Sequence, residues 1–356
     1  MSMPRPIPNP AVEAATPYAV PRAQYPVDLY LDGNEGAPPP IQVVDALSIA
    51  TPQSLRRYPS AAVLERALAR RNGIDAAQVF VTAGADEALD RVCRAMLAPG
   101  RNLVVAVPTF AMLTHYATLA GAEIRRVPWA DGAFPVDAVI AATDAATAVI
   151  AVVTPNNPTG AVARAADLAQ LSSAAPHALL VVDLAYGEYA DVDLTEVALA
   201  LENALVVKTF SKAYGLASLR VGYAIGAAAH VGWLRVAGSP YPVAGPSVAA
   251  ALTRLEANGD ISHHVASVRR EREALVALLR TLGARPQPSQ ANFVYVTVRD
   301  AIAVRDELAR RGIAVRAFPG RTDTPEGLRI TCPGDNGAFA RLQRALVETF
   351  TATGKA

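Results

Sequence analysis

The sequence has almost no net charge and no long hydrophobic run. Its 356 residues contain 33 Lys+Arg against 32 Asp+Glu, which gives a formal net charge of +1. Such a balance provides no broad basic surface, so binding to nucleic acid or to anionic membranes is not expected. No segment approaches the roughly 18 apolar residues of a membrane span, and prolines interrupt the N-terminus where a secretory signal needs an apolar stretch. We therefore expect a soluble, unexported protein.

Cysteine is also scarce. The chain contains Cys93 and Cys332 and no others. Their wide separation fits neither a disulfide framework nor the spacing of metal ligands. Two packed thiols are typical of a protein in a reducing compartment, so we expect a cytoplasmic location and no metal site.

What the chain does contain is a regular alternation of short apolar runs and helical patterns between about Gln78 and Gly226. The runs are QVFVTAG, NLVVAVP, AVIAVVTP, ALLVVDLAY, ALVVKTFS and RVGYAIG. Alternation of this kind predicts an α/β fold with a doubly wound, mostly parallel sheet. Because the runs are apolar on both faces, helices should cover the sheet on both sides, and ligands should bind at the carboxyl ends of the strands.

After this region the pattern changes to that of a smaller α+β unit. The chain reads as helix from about Ser247 to Leu282, a stretch that could connect two domains. NFVYVTV, IAVRAFPG and GLRITC are further strand candidates, with helices expected near 301–311 and 336–349. The Pro-rich first 40 residues are typical of an arm with little regular structure. The expected divisions are an N-terminal arm over 1–40, a large domain over 41–260, and a small domain over 261–356 to which the arm contributes.

Lysine is rare, which makes its position informative. Lys208, Lys212 and Lys355 are the only lysines, and Lys212 follows the apolar run ALVVKTF, eight residues before Arg220. An amine at a strand end can form an imine with a cofactor aldehyde and then carry a proton, while a nearby arginine holds a phosphate. A solvated lysine at a strand end is the alternative for an isolated Ser-Lys pair.

A carboxylate ends another apolar run. Asp183 and Tyr186 stand at the end of LLVVDLAY, where a buried carboxylate is unfavourable unless a cation meets it. The protonated ring nitrogen of a pyridine cofactor is such a cation, and the acid would keep it protonated. Tyr186 could then hydrogen-bond the ring oxygen. The alternative is that Asp183 simply caps the following turn.

Three other strand ends carry candidate side chains. Asn157 lies in the turn TPNNPTG, and Ala85 and Asp86 open a helix whose backbone N–H groups could bind a phosphate. Phe110 follows the run VVAVPT and could stack on a flat ring. An ordinary turn, a helix cap and a core aromatic are the alternatives at these three places.

In their order and spacing, these strings resemble the fold-type I pyridoxal-5'-phosphate (PLP) aminotransferases, and within that family the histidinol-phosphate aminotransferases. The similarity runs from TPY at Tyr18 through NE at Asn34 and RYPS at Tyr58 to PSQANF and LRIT. The resemblance implies a mostly parallel seven-stranded sheet with a smaller α+β C-terminal domain. It also implies PLP as cofactor and a homodimer with shared active sites.

The resemblance further implies a role for each matching residue in holding the cofactor. Lys212 would be the Schiff-base lysine, Asp183 the partner of the ring nitrogen, and Phe110 the residue stacked on the ring. Asn157 and Tyr186 would hydrogen-bond the ring oxygen. The residues implied to hold the cofactor phosphate are Ala85, Asp86, Thr209, Ser211 and Arg220, together with Tyr58 of the neighbouring subunit.

The same resemblance implies the substrate contacts. Arg329 would bind the anionic group of the substrate, with Arg316, Tyr18, Asn34 and Asn157 nearby. The family pattern is interrupted at four places, and the first and last of these lie where substrate is selected. The departures are Gly36-Ala37 in place of the usual Asn-Pro, Leu184 in VVDLAY, Ser218 in GLASLR, and Cys332-Pro333-Gly334 after LRIT.

Several functions are compatible with this set of residues. The resemblance implies transfer of an amino group between histidinol phosphate and 2-oxoglutarate, in histidine biosynthesis. A threonine-phosphate decarboxylase, or an aminotransferase of aromatic or other amino acids, would share most of the site. A noncatalytic binding protein on this fold is disfavoured by Lys212 and by the lack of an added DNA-binding segment. A dinucleotide enzyme is disfavoured because no GxGxxG opens a βα unit.

Overall fold

Two β-sheets and the helices around them make up the fold. The computed structural model describes residues 6–13, 15–17, 25–48, 51–129, 131–320 and 323–354. The strands are β1 (Leu29–Leu31), β2 (Val79–Thr82), β3 (Asn102–Val107), β4 (Glu123–Pro128), β5 (Thr147–Val153), β6 (Leu179–Asp183), β7 (Ala204–Thr209), β8 (Gly222–Gly226), β9 (Arg285–Pro286), β10 (Phe293–Thr297), β11 (Ile313–Phe318) and β12 (Gly327–Thr331).

The helices alternate with the strands through the middle of the chain. They are α1 (Pro10–Glu13), α2 (Ile41–Ser48), α3 (Pro52–Leu55), α4 (Ala62–Asn72), α5 (Gly84–Met96), α6 (Ala111–Leu119), α7 (Val136–Ala141), α8 (Ala165–Ala174), α9 (Thr195–Leu199), α10 (Ala228–Val236), α11 (Gly245–Glu256), α12 (Gly259–Thr281), α13 (Ala301–Arg310) and α14 (Asn336–Thr353). Among the described residues, no helix is long and apolar enough to cross a membrane.

The larger sheet has seven strands in the order β2-β8-β7-β6-β5-β3-β4. Strand β8 runs antiparallel to both of its neighbours, and the other neighbouring pairs are parallel. Every residue of β3, β5, β6, β7 and β8 is buried, as expected for strands covered on both faces. The predicted seven-stranded, mostly parallel sheet is therefore confirmed.

One strand of this sheet has no apolar run in the sequence. Strand β4, with the sequence EIRRVP, lies at the edge beside β3 and is largely exposed. An edge strand needs little apolar surface, and charged side chains there oppose pairing with another chain. Its register with β3, rather than its composition, makes it a strand.

The smaller sheet has the order β1-β11-β12-β10-β9. Strand β1 comes from the Pro-rich N-terminal segment and pairs parallel to β11, with Leu31 opposite Val315. Strands β11 and β12 are antiparallel and place Arg316 opposite Arg329. The N-terminal segment thus contributes a strand, although its composition predicted little regular structure.

The predicted helix over 247–282 is two helices, α11 and α12. The chain leaves helical geometry at Ala257 and resumes it at Gly259. Asn258 and Gly259 have low helix propensity, which favours an interruption here. Arg254, which is only 1% exposed, holds the junction by donating to the Ala257 carbonyl and to Asp260. The long helix predicted to connect two regions is therefore α12 alone.

Candidate active site

A cleft of about 530 Å³ opens at the carboxyl ends of the central parallel strands, between the two sheets. Strands β5, β6 and β7 supply its floor, and β11 and β12 supply one wall. Most residues singled out from the sequence line it: Ala85, Asp86, Phe110, Asn157, Asp183, Tyr186, Thr209, Ser211, Lys212, Arg220, Arg316 and Arg329. The structure therefore gathers side chains that lie more than 200 positions apart in the sequence.

Lys212 lies in the loop after β7, where its amine faces the cleft. The Nζ atom donates a 2.9 Å hydrogen bond to the carbonyl of Gly33 and lies 5.7 Å from the centre of the Tyr186 ring. Among the described residues, no carboxylate forms an ion pair with it. An amine that faces a cavity without a counter-ion is available to react with an aldehyde.

The segment after β1 packs directly on the lysine loop. A Cβ atom added to Gly36 would lie 2.0 Å from the carbonyl oxygen of Lys212, so no larger residue fits there without displacing the backbone. The departure from the family pattern at Gly36 therefore has a structural reason in this chain. Gly36 allows the N-terminal segment to lie against the loop that carries Lys212.

Asp183 ends β6 and is 4% exposed. One carboxylate oxygen accepts a 2.9 Å hydrogen bond from the backbone N–H of Ala185, and no cation of the described chain forms an ion pair with it. Burial raises the pKa of Asp183 to about 7, with Asp86 adding to this effect and the Ala185 N–H and Lys212 opposing it. A buried carboxylate without a cation is what a protonated ring nitrogen would complement.

Hydroxyl and guanidinium groups converge on the side of the cleft nearest α5. Thr209 Oγ1 donates to Ser211 Oγ at 3.0 Å, and Arg220 donates to the same Ser211 oxygen at 3.3 Å. Arg220 also forms a 2.8 Å ion pair with Asp86. The Asp86 carboxylate therefore orients Arg220, while an anion here would meet the backbone N–H groups at the start of α5.

Gly222 allows these elements to approach each other. A Cβ atom on Gly222 would lie 2.4 Å from the carbonyl carbon of Gly84 and 2.5 Å from the nitrogen of Ala85. Both contacts are with backbone atoms, which cannot turn aside as a side chain can. The start of β8 thus packs closely on the turn that leads into α5, and only glycine fits there.

The wall formed by β11 and β12 carries two arginines side by side. Arg329 is 8% exposed, and it donates to Asn157 Oδ1 at 2.7 Å and to the carbonyl of Asp32 at 2.5 Å. Its guanidinium also lies 5.4 Å from the ring centre of Phe293. Arg316 is its direct cross-strand neighbour. Two guanidinium groups at one wall suit a carboxylate or a phosphate.

Asp32 and Glu35 also line the cleft, and neither was among the predicted site residues. The register pairs Leu31 with Val315, so that the next residue, Asp32, stands beside Arg316. Burial raises the pKa of Asp32, and both arginines act against this shift. Asp32 could have been predicted only from the pairing of β1 with β11. The Pro-rich composition of the N-terminal segment does not indicate that pairing.

Two of the predicted site residues that the structure describes do not line the cleft. Asn34 is 1% exposed and donates a 3.0 Å hydrogen bond to the hydroxyl of Tyr186. Tyr58 is 80% exposed and stacks on Tyr241, with ring centres 4.5 Å apart. Tyr18 lies outside the described residues. Asn34 thus reaches the site through Tyr186, whereas Tyr58 is exposed outside the cleft of its own chain.

Lys208, the other lysine near the end of β7, is part of a separate cluster. It is 6% exposed, and its Nζ lies 3.2 Å from Glu188, 3.7 Å from Asp193 and 3.3 Å from the Thr195 hydroxyl. Burial alone would lower the pKa of Lys208, but Glu188 and neighbouring groups raise it. A lysine in this state is protonated and does not line the cleft.

Comparison with known proteins agrees with this arrangement. Residues 28–346 match the family model described as aminotransferase class I and II. The chain is 35% identical over 299 residues to a histidinol-phosphate aminotransferase of Geobacillus sp., covering 82% of this chain and 81% of the relative. It is 36% identical over 302 residues to one of Erythrobacter litoralis, covering 82% of each.

Solved structures share the fold. A histidinol-phosphate aminotransferase of Sinorhizobium meliloti in complex with PLP superposes with a TM-score of 0.89 at 24% identity, covering 99% of this chain and 100% of that one. An aspartate aminotransferase of Thermus thermophilus with maleate has a TM-score of 0.78 at 24% identity, covering 96% and 100%. From its match to the family model and its identity with these relatives, the chain belongs to the class I and II aminotransferases, enzymes whose cofactor is pyridoxal 5'-phosphate.

Proposed function

We propose that this aminotransferase exchanges an amino group between histidinol phosphate and 2-oxoglutarate. The observation that carries the proposal is the cross-strand pair Arg316 and Arg329 on the wall of the cleft that also holds Lys212. The names of the relatives that are 35% and 36% identical point to the same substrate. Both lines of support concern this one cleft.

The residues present fit PLP. Lys212 offers an amine for the aldehyde, Asp183 offers a carboxylate for the ring nitrogen, and the start of α5 with Ser211 and Arg220 offers donors for the phosphate. When bound, PLP supplies an electron-withdrawing ring that stabilises negative charge on the substrate Cα. Lys212 would be the base that moves the proton from the substrate Cα, and Asp183 would hold the ring nitrogen protonated.

The two arginines would serve both half-reactions. Histidinol phosphate carries a phosphate and no carboxylate, whereas glutamate carries two carboxylates. Arg329, anchored by Asn157 and by the Asp32 carbonyl, is fixed in place and would bind the anion common to both substrates. Arg316, its cross-strand neighbour, is half-buried and would strengthen binding of the doubly charged phosphate. One anion site could therefore accept both amino donors in turn.

Rapid-mixing absorbance spectroscopy of the PLP-loaded enzyme tests the substrate directly. Histidinol phosphate should convert the absorbance of the bound cofactor from the aldehyde to the amine form, and 2-oxoglutarate should restore it. The Lys212→Ala variant is the control and should show no catalysed exchange. A reaction with phenylalanine or tyrosine but not with histidinol phosphate would overturn the substrate. Release of CO₂ from phosphothreonine would identify a decarboxylase instead.

We also propose a homodimer in which Tyr58 completes the cofactor site of the second subunit. Support comes from the exposed aromatic pair Tyr58 and Tyr241, and from the exposed apolar residues Ile41 and Leu55 near it in sequence, which are 64% and 65% exposed. Exposed apolar surface of this kind commonly marks a protein interface. The division into an arm over 1–40, a large domain over 41–260 and a small domain over 261–356 is part of this proposal.

Subunit mixing tests the shared site. Inactive Tyr58→Phe and Lys212→Ala proteins, once exchanged into heterodimers, should regain part of the activity because one of the two sites then has both residues intact. Verified exchange without any regain would contradict sharing.

A cytoplasmic location is also proposed, on the basis of the free, buried thiols of Cys93 and Cys332. Fractionation of cells that express the tagged protein checks the location.

A further inference from the structure

The side chain of Asn34 lies behind the cleft and not in it. Asn34 is 1% exposed, and its backbone has φ of 57°, the left-handed conformation that asparagine adopts more readily than most residues. All three of its polar groups beyond the N–H are used. Its Nδ2 donates to the Tyr186 hydroxyl at 3.0 Å, its Oδ1 accepts from Thr331 Oγ1 at 2.8 Å, and its carbonyl accepts from Asn292 Nδ2 at 3.1 Å.

The direction of the first of these bonds has a chemical consequence. A tyrosine hydroxyl has one hydrogen to donate, and its oxygen can accept. Because Thr331 donates to Oδ1, the Asn34 amide presents an N–H group to the oxygen of Tyr186. The hydrogen of Tyr186 therefore remains available to an acceptor in the cleft. A donor on the phenol oxygen also makes that phenol a stronger donor, because hydrogen bonds in a chain polarise one another.

The network reaches the strand that carries the substrate arginine. Thr331 follows Arg329 by two positions in β12, so both side chains stand on the same face of that strand. Asn34 itself follows Gly33, whose carbonyl accepts the hydrogen bond from Lys212. The Tyr186 ring is fixed from another side by an edge contact with Phe293, with ring centres 5.2 Å apart. Asn34 thus connects three elements of the site without entering the cleft.

We propose that Asn34 is a positioning residue that directs the Tyr186 hydroxyl hydrogen toward the ring oxygen of the cofactor and so lowers the pKa of the Schiff base at Lys212. This inference rests on the proposed contact between Tyr186 and the cofactor. A donor to the ring oxygen stabilises the negative charge on that oxygen, so the charge stabilises the protonated imine less. Loss of that donor therefore leaves the imine protonated to higher pH.

The test is an absorbance titration of the PLP-loaded enzyme, which reports the protonation of the Schiff base and not turnover. Asn34→Asp replaces the N–H group by an acceptor, so Tyr186 should donate to the new carboxylate and the Schiff-base pKa should rise by about one unit. Asn34→Ala should raise it less. In a Tyr186→Phe background, Asn34→Ala should produce no further change, because the hydroxyl through which Asn34 acts is absent.

A control separates this role from a general effect of losing a buried amide. Asn102 is fully buried at the amino end of β3 and donates to Asp144. Asn102→Ala should reduce thermal stability but leave the Schiff-base pKa unchanged. Thr331→Val, which removes the anchor of the Asn34 amide, gives a second route and should raise the pKa in the same direction.

Two results would overturn the proposal, and each points to a different cause. If Tyr186→Phe does not change the Schiff-base pKa, the contact of Tyr186 with the cofactor is wrong, and the proposal for Asn34 fails with it. If Tyr186→Phe raises the pKa while folded Asn34→Asp, Asn34→Ala and Thr331→Val proteins all retain the wild-type value, Asn34 has only a structural role. A rise in the first two variants that disappears in the Tyr186→Phe background supports the inference.

Discussion

Two regions near the end of β7 each contain a lysine, buried at Lys208 and half-buried at Lys212, and they differ in the charges that surround the amine. At Lys208 the chain supplies its own counter-ions, Glu188 and Asp193, within 3.7 Å of the amine. At Lys212 no carboxylate of the described chain forms an ion pair with the amine, and the nearby carboxylate of Asp183 forms no ion pair with any described cation. The first region is electrostatically complete within the described chain, whereas the second leaves both the amine and the carboxylate available to a ligand.

The difference shows how a burial cost can be used for binding. A buried ion pair offsets part of the cost of removing its charges from water, so the Lys208 cluster is stable as it stands. Asp183, buried without a cation, makes the fold less stable when it is ionised. Binding of a cationic ring nitrogen removes that penalty, which makes the same carboxylate a source of affinity for the cofactor. Substitutions in the two regions should therefore have opposite consequences.

The largest expected effect comes from removing the amine of Lys212, with removal of the Lys208 amine as the comparison. Lys212→Ala should abolish the absorbance of the covalently bound cofactor and reduce turnover to background, because the imine cannot form. Lys208→Met should keep that absorbance, because Lys208 does not line the cleft. Borohydride reduction followed by peptide mapping identifies the modified lysine. A pyridoxyl group on Lys208 would refute the comparison.

Asp183→Asn should give the next largest effect on activity. The neutral amide no longer holds the ring nitrogen protonated, and turnover should fall by orders of magnitude while PLP still binds. Steady-state rates at saturating substrate, with cofactor occupancy measured in parallel, check this. Near-normal turnover would mean that Asp183 only caps the following turn through its bond with Ala185.

The same substitution should stabilise the protein when PLP is removed. The pKa of Asp183 rises from 3.8 to about 7 on folding. Between these values the folded state binds the extra proton, so its stability falls as pH rises from about 4 to about 7, by about 4 kcal/mol in all. Asp183→Asn should remove this loss. Urea unfolding of PLP-free protein at pH 5 and pH 8 covers about two pKa units of this range and should show a loss of about 3 kcal/mol.

A second carboxylate must be subtracted from that measurement. Burial also raises the pKa of Glu271 to about 7, which gives wild-type protein an additional loss of stability over the same range. Glu271 is unchanged in Asp183→Asn, so the difference between the two proteins isolates Asp183. Equal pH dependence in both would contradict the assignment of the shift to Asp183.

Residues that follow apolar runs could be predicted from the sequence, whereas residues placed by long-range strand pairing could not. Lys212 and Asp183 each follow an apolar run, and the parallel sheet brings such strand ends together, so their meeting could be predicted. Asp32 could not, because its place depends on the pairing of β1 with β11 across almost 300 residues. The edge strand β4 was missed because it has little apolar surface. Long-range register and exposed elements leave little trace in local sequence.

Lys208→Met should have a smaller effect, on stability and not on chemistry. Removing the amine leaves Glu188 uncompensated in a largely buried position, and breaking such a pair typically costs about 3–5 kcal/mol. Thermal or chemical unfolding of the holoenzyme measures the loss. The double variant Lys208→Met with Glu188→Gln should recover most of it, since the remaining carboxylate, Asp193, is 57% exposed and stays hydrated. If the double variant is as unstable as the single one, the loss of stability in Lys208→Met comes from packing and not from charge.

The smallest expected effects are those that distinguish the two arginines on the wall formed by β11 and β12. Arg329→Ala should impair both half-reactions, because it removes the fixed guanidinium and leaves Asn157 and the Asp32 carbonyl without their donor. Arg316→Ala should impair the reaction with histidinol phosphate more than the reaction with glutamate, because the phosphate has the greater charge. Each lost charge-assisted contact corresponds to about 1.5–3 kcal/mol, or roughly ten- to 150-fold in kcat/KM. Single-turnover rates of both half-reactions in each variant provide the measurement, with Arg316→Lys as the control that retains the charge but not the fork of donors. Equal losses for both substrates in Arg316→Ala would show that Arg316 does not distinguish the phosphate of histidinol phosphate from the carboxylates of glutamate.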